Sequence, residues 1–312
     1  MQDSKPSSIL VTAPRRRSIT SIFNFLGIVA IHVFTVYAIA RGVTLRLLAI
    51  AAVTYFVRMF AITGVYHRYF AHRAFKTSRA FQFVLALLGT TATQKGPLWW
   101  AGTHRVHHKY SDTERDVHSP LRKGFWYAHM GWWMSLEHEK GNLDIIRDYA
   151  GFPEIRWLDR WHWVGVFALM AGLAAFGLEV YLWGYVVSTC VLMHATFTIN
   201  SLAHVFGSRR YATADTSRNN PWLALLTMGE GWHNNHHHYM SSARQGFFWW
   251  EVDVSYYVLK ALSAVGLVWD LRPVPPHALR KNLVADVGER APLLLAEAPA
   301  EVAAPAATPE LG

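Results

Sequence analysis

Over four stretches of the chain polar residues nearly vanish, and between them they crowd together. From Ile22 to Ala40 only Asn24, His32 and Thr35 interrupt an apolar run, about long enough to cross a ~30 Å hydrocarbon core. A second run, Leu47 to Tyr66, follows the short connector Arg41 to Arg46. Two more, Trp161 to Leu178 and Tyr181 to Ala203, are separated by little beyond Glu179. The pattern predicts two helical hairpins, with spans over about 22–40, 47–66, 161–178 and 181–203. The segment Phe81 to Thr93 is apolar but shorter, and reads as a core or interfacial helix ahead of Trp99 and Trp100.

Hairpins that cross twice leave the N-terminal tail, the stretch 67–158 and everything after 204 on one side. Lys and Arg number 4 in the tail, 13 in the middle stretch and 9 in the C-terminal part, against 2 in the first opposite-side connector and none in the second. The positive-inside rule makes the large side cytoplasmic, both termini with it. A charged fraction of only 16% beside 52% hydrophobic residues fits an integral, multi-pass protein of the cytoplasmic membrane. The net charge of +9 reads as this bias plus attraction to anionic headgroups, and no groove-reading or base-stacking pattern points to nucleic acid. Arg15 to Arg17 before an apolar stretch also resembles a signal peptide, but the run is too long for a signal core and its removal would strand one crossing. Residues 1–18 and 287–312 read as disordered tails around a membrane domain over 19–286. The single cysteine, Cys190, lies within an expected span and excludes an intramolecular disulfide or a thiolate iron–sulfur site.

Histidine changes the picture most. Of 17 histidines, eight fall in three clusters: His67 and His72 in HRYFAH, His104, His107 and His108 in HRVHH, His233, His236 and His237 in HNNHH. Positions i, i+3 and i+4 share one face of a helix, and neutral imidazole is the commonest protein ligand of transition metals. Two such three-ligand faces supply more nitrogens than one ion takes, so two ions are implied. HRYFAH is ambiguous: i and i+5 lie about 140° apart on an α-helix, so the helix bends there or the two rings serve different ions. His204, four residues after Asn200, is a ninth candidate at a span end. His238 fits neither register, because the shifted one would need histidine at Asn234. His32, His162 and His194 read as interfacial or hydrogen-bonded residues. Zinc hydrolase spacing is absent, and carboxylate-bridged di-iron bundles use two ExxH pairs where only Glu230 to His233 fits. The spacing does not choose among Fe, Zn and Mn; iron follows if the chemistry is oxidation of an inert C–H bond, since zinc is redox-silent.

The runs TGVYHRYFAHRAF, HRVHHKYSDTERDVHSPLRKGFWYAHMGWW, NSLAHVFG and GEGWHNNHH, in this order over roughly 63–240, resemble the membrane fatty acid desaturases, in particular the stearoyl-CoA (Δ9) branch and its bacterial relatives. The resemblance implies an all-α membrane protein, with four transmembrane helices under a cytoplasmic helical cap over 67–158 and 204–286. It implies two irons held by His67, His72, His104, His107, His108, His204, His233, His236 and His237, with Asn200 holding a metal-bound water. Asp116 and His118 fall where partners of the ligands are expected, because ligating imidazoles need groups that fix their tautomer. His129 and Trp132 match the same stretch, and Trp132 and Trp133 read as packing in the cap. Arg122 and Lys123 are candidates for a substrate headgroup. Tyr55, Met59, Phe60, Thr196 and Phe197 are candidates for lining an acyl tunnel. Gly102 and Thr103 depart from the Arg-Asp pair of animal acyl-CoA desaturases, which weakens the case for CoA as carrier.

By resemblance the reaction takes O₂ and a long-chain fatty acyl substrate and leaves a cis double bond, with Δ9 the expected position. No heme-binding HPGG segment, iron–sulfur cysteine set or GxGxxG fingerprint supplies electrons, so an external ferredoxin or cytochrome b5-like protein with its reductase is implied. A related di-iron hydroxylase is the nearest alternative. A non-catalytic metal-binding or transport protein is the alternative from another class, disfavoured because nearly all the histidines lie outside the spans.

Overall fold

Helix ends in the first hairpin follow from short-range chemistry. The first helix, α1 (Ile19–Arg41), stops at Gly42, whose φ of +130° suits only glycine. Thr44 starts α2 (Leu45–Phe60): its hydroxyl accepts the Leu47 N–H at 3.3 Å, satisfying one donor that a helix start leaves open. The computed structural model describes residues 19–135, 141 and 143–287. The tail over 1–18 lies outside these residues, as does the C-terminal tail except Val287, which ends a helical turn from Val284.

From Ala61 to Ala71 the second rod continues as a π-helix. The His72 N–H donates to the His67 carbonyl, five residues back, at 3.1 Å. This wider winding stacks residues i and i+5, and such stretches are rare and concentrate at functional sites.

Among the described residues, three rods are long and apolar enough to cross a bilayer: Ile22–Arg41, Leu45–Ala71 and Leu178–His204. The segment expected over 161–178 is helical only over Trp163–Ala174, which is about 18 Å long at ~1.5 Å per residue. Trp161 and His162 form a turn after the helix Pro153–Arg160, and Gly177, at φ +107°, ends the segment at its other side. The last rod contains a π-helical stretch of its own, Leu182–Val187, and closes in a 3-10 turn, Leu202–His204. Apolar side chains on α1 point away from the protein, Phe23 and Val36 each 68% exposed, as befits a helix solvated by lipid.

The cap rests on α3 (Arg79–Thr90) and α4 (Pro97–Tyr110). Ser78 caps α3 by accepting the Phe81 N–H at 3.2 Å. Asp159 caps α4 from a distant segment, one carboxylate oxygen accepting the Leu98 and Trp99 N–H groups at 2.8 and 2.9 Å. Tyr66, Phe70, Phe75, Leu98, Tyr149, Ile155 and Leu158 form one buried cluster joining the π stretch, α4 and the segment before the third apolar helix. Each apolar side chain so buried contributes roughly 1.5–3 kcal/mol. Two short antiparallel strands, β1 (Lys76–Thr77) and β2 (Val268–Trp269), bring the C-terminal segment against this cluster.

Candidate metal centre

Four backbone elements converge on one buried space: the π stretch with the turn after it, α4, the 3-10 turn Leu202–His204, and the helix His233–His238. Arg105 anchors the first to the second. Its guanidinium donates to the Phe70 and Ala71 carbonyls, each at 2.8 Å, and to both oxygens of Asp148, so the open carbonyls at the end of the π stretch are satisfied.

The nine histidines divide into two sets. His67, His72, His104, His108 and His236 form one, and His107, His204, His233 and His237 the other; within each set the ligand atoms lie within 4.8 Å of one another. In the larger set the Nε2 atoms follow in series: His67 to His236 at 3.0 Å, then His236 to His108, His108 to His104 and His104 to His72 at 2.9 Å each. His104 Nε2 faces two other Nε2 atoms and carries one proton at most, so neutral imidazoles cannot satisfy this series by hydrogen bonds alone. Donors ~2.1 Å from an ion and at right angles stand ~3.0 Å apart, which is the spacing here. The donor set therefore fits one six-coordinate transition metal with a position left over.

HRYFAH resolves through its winding. The π turn brings the His67 and His72 ring centroids to 4.7 Å, where an α-helix would splay them. Both rings serve the same set.

Carboxylates stand behind the smaller set. His107 Nδ1 meets Asp116 at 2.9 Å, His204 Nδ1 meets Asp112 at 3.2 Å and His237 Nδ1 meets Asp215 at 2.5 Å. An ionised carboxylate only accepts, so each ring carries its proton on Nδ1 and turns an Nε2 lone pair inward. His204 and His233 then face each other at 3.1 Å through Nε2, while the Nε2 atoms of His107 and His237 are buried without a hydrogen-bond partner. Orphaned inward lone pairs fit a second cation. In the larger set, among the described residues, His67 alone has such a partner, Glu230 at 2.5 Å, which also takes Arg68 at 3.2 Å and the Gln245 amide at 2.9 Å.

Burial alone would push the four carboxylates up, but the facing histidines and the surrounding donors win and hold Asp112, Asp116, Asp215 and Glu230 below the usual carboxylate range. Burial, then neighbouring histidines, hold His72, His104, His108, His233 and His236 well below theirs. Those five rings stay neutral at physiological pH, which is the ligating form. His107 goes the other way, because Asp116 outweighs its burial.

A narrow cavity of ≈ 70 Å³ touches both sets, with His67 and His104 from one and His233 from the other in its wall. Met59, Ile62, Phe197 and Trp132 give it an apolar lining, and Asn200 lies in its wall. A polar bar crosses it: Trp100 Nε1 donates to Gln94 Oε1 at 3.1 Å, and Gln94 Nε2 donates to Thr196 Oγ1 at 2.9 Å. Of the expected tunnel residues, Met59, Thr196 and Phe197 are in the wall; Tyr55 and Phe60 belong to the neighbouring core, and the Tyr55 hydroxyl donates to the Leu226 carbonyl. Trp132 packs in a buried cluster with Trp99, Val117 and Phe197, as expected, and also lines the cavity, as does Thr103.

The remaining candidates separate in space. His118 packs beside His107 at 4.4 Å between centroids, and its backbone N–H donates to Asp116. Arg122 donates to the Asp112 carbonyl at 2.9 Å, and Lys123 lies over the Tyr127 ring. His238 stacks on Tyr211 at 3.9 Å and donates from Nε2 to the Ala278 carbonyl, outside both sets. His32, His194 and His129 form a hydrogen-bonded series ending at Ser201. Sequence reasoning missed Asp112, Asp215, Gln94, Trp100 and Gln245, and met Glu230 only as half of a bridging motif.

A family model described as fatty acid desaturase matches residues 44–271. The chain belongs to the fatty acid desaturase family. It is 36% identical over 277 residues to an acyl-CoA C20 Delta5-desaturase of Anemone leveillei, covering 88% of each chain. It is 38% identical over 240 residues to Delta-9 acyl-lipid desaturase 1 of Arabidopsis thaliana, covering 76% of this chain and 78% of that one. With sn-1 stearoyl-lipid 9-desaturase of Anabaena variabilis it shares 35% identity over 271 residues, 84% of this chain and 96% of the other. The protein is thus an oxidoreductase of lipid metabolism, and the non-catalytic reading falls away. Its apolar rods and its family make this desaturase a membrane protein.

Proposed function

We propose that this desaturase inserts a cis double bond, at Δ9, into a saturated long-chain acyl group carried by a lipid or by CoA, using O₂ and two irons. The observation that carries the reading is that both histidine sets open onto one apolar, polar-barred cavity. Relatives named for acyl-lipid Δ9 and acyl-CoA Δ5 activity support both carriers and the desaturation.

In this reading His67, His72, His104, His108 and His236 hold one iron, and His107, His204, His233 and His237 the other. Asn200 stands by to position a water. Bound iron supplies the O₂-dependent oxidation of C–H bonds that no side chain performs alone. The chain's own contribution is positioning. Asp112, Asp116, Asp215 and Glu230 hold protons at Nδ1 so that Nε2 faces inward. Met59, Phe197 and Trp132 exclude water from the acyl chain, and the Trp100–Gln94–Thr196 bar obliges it to bend, which selects the methylene pair beside the metals. Reducing equivalents come from an external ferredoxin or cytochrome b5-like carrier with its reductase, drawn to the basic face.

The proposed orientation puts both termini and the histidines in the cytoplasm. The helix Trp163–Ala174, with its flanks, makes the third of four crossings by local thinning of the bilayer. Arg122 and Lys123 are assigned to the headgroup at the cavity's outer side. Expression in a desaturase-deficient host, followed by gas chromatography of derivatised lipids, tests the activity. A new Δ9 cis monoene is expected; a product that has gained oxygen, or no oxygen-dependent change, would contradict it.

A further inference from the structure

Away from the nine histidines, α1 and the last rod meet through polar side chains. His32 and Thr35, at i and i+3 near the middle of α1, share one face of it, and Cys190 and His194, at i and i+4, share one face of the helix Ser188–Asn200. Ring nitrogens of His32 and His194 and the sulfur of half-buried Cys190 lie within 4.8 Å of one another.

The hydrogen bonds around this trio do not close. His32 Nδ1 donates to the Ile28 carbonyl at 2.7 Å, and His32 Nε2 faces His194 Nε2 at 2.8 Å. His194 Nδ1 meets His129 Nε2 at 3.0 Å, His129 Nδ1 meets Ser201 Oγ at 3.0 Å, and Ser201 Oγ donates to the Phe197 carbonyl at 2.9 Å. Carbonyls only accept, so both ends of the series draw a proton. Four neutral side chains bring four protons to five contacts, and one contact is left with two lone pairs face to face. With every proton directed toward the two carbonyls, that contact is His32 Nε2 to His194 Nε2, the one beside Cys190.

A second observation falls at the same place. The Thr35 hydroxyl stands beside the Cys190 sulfur and is buried with no other hydrogen-bond partner among the described residues. Such a hydroxyl donates roughly twice as strongly to a thiolate as to a neutral acceptor. An added proton would complete the series but leave an imidazolium between apolar helices, where charge is costly. A monovalent cation held by two imidazoles and one thiolate carries no net charge, and copper(I) is the soft ion such a donor set selects. Zinc would remain charged there and would lack a fourth ligand.

We propose that His32 Nε2, His194 Nε2 and the Cys190 thiolate bind one copper(I), the thiol proton leaving to water as the ion enters. Trigonal donors ~2.0 Å from an ion stand ~3.5 Å apart, so the two rings part by roughly 0.7 Å, which α1, bounded by lipid on its outer face, allows. The site is independent of the nine histidines and of the activity proposed above.

The test is anaerobic titration of the iron-loaded, detergent-solubilised full chain with copper(I) in competition with bicinchoninate, followed by copper X-ray absorption. Wild type is expected to retain one copper per chain, surrounded by one sulfur and two nitrogens. Cys190 is the chain's single cysteine, so Cys190→Ser should remove the sulfur signal and weaken retention at least ~100-fold. His194→Gln should weaken it by a similar factor. His162→Gln, whose ring bonds instead with the Asp159 carbonyl, should leave it unchanged. Iron measured in the same samples should be equal in all four proteins, which separates this site from the histidine centre and shows that the variants fold. No copper retained by wild type, the outcome if a proton completes the series, would overturn the proposal. So would bound copper without sulfur, equal retention in wild type and Cys190→Ser, or copper that falls in both variants only together with iron.

Discussion

The two histidine sets are made of the same side chain and held by different means. Three of the four rings in the smaller set donate from Nδ1 to a buried aspartate, so charge fixes their tautomer and direction. In the larger set, among the described residues, only His67 has a carboxylate, and the geometry comes from backbone instead: a π turn that aligns His67 with His72, and a helix face that aligns His104 with His108. One site is preorganised by hydrogen bonds, the other by winding. Removing carboxylates should therefore damage the two sites unequally, whereas removing ligands should damage both.

The largest effect is expected from the ligands. His236→Ala in the larger set and His107→Ala in the smaller should each reduce product formation by ~100-fold or more, because a cut into either set leaves buried lone pairs without their ion. Full activity in either variant, measured by product chromatography, would remove that residue from the centre. Next come the aspartates. Asp116→Asn and Asp215→Asn should lower affinity for the ion of the smaller set roughly 10–100-fold. After dialysis against a chelator each variant should keep about half the wild-type iron. Loss of both irons together would show that the sets are not separately held. Glu230→Gln should cost less, several-fold in iron retention, since four other rings remain in its set and an amide still accepts a hydrogen bond.

Acid should act mainly through the larger set. His72, His104, His108 and His236 are held well below their ordinary value of 6.5 by burial and by one another. The metal-free folded protein keeps them neutral where the unfolded chain takes up protons. Their contribution to stability is complete above about pH 6.5 and is lost as pH falls through it toward the lower folded-state values. Thermal melting of metal-free protein should accordingly drop by about 5 °C or more between roughly pH 7.5 and 5.5. A melting point flat across that interval would mean the rings are not buried together. The aspartates titrate far lower and do not contribute there.

Much of the smaller set was legible as spacing. His233 and His237 lie four apart on one helix, and His204 stands at the end of an apolar run where a polar residue needs a reason. What spacing could not reveal is which rings group together: HRVHH sends His104 and His108 to one set and His107 to the other, and HNNHH divides likewise. A three-ligand face is thus two faces, because residues at i+3 and i+4 flank the helix stripe rather than share one point. The HRYFAH pair stayed ambiguous for a related reason. A 3.6-residue period was assumed, and π winding obeys another. The third apolar segment fell short because Gly177 and the turn at Trp161–His162 end it, and hydropathy alone does not register either. Asp112 and Asp215 sit in polar stretches where a carboxylate is unremarkable until folding buries it. Trp132 looked like one aromatic among many, and only the fold turns it toward the cavity.

Everything rests on two ions per chain, and iron content measures that directly. Full-length protein purified without chelator, iron-loaded and active, should contain two irons per chain by plasma mass spectrometry, with one remaining in Asp116→Asn after dialysis against a chelator. One iron per chain in a fully active preparation would contradict the account.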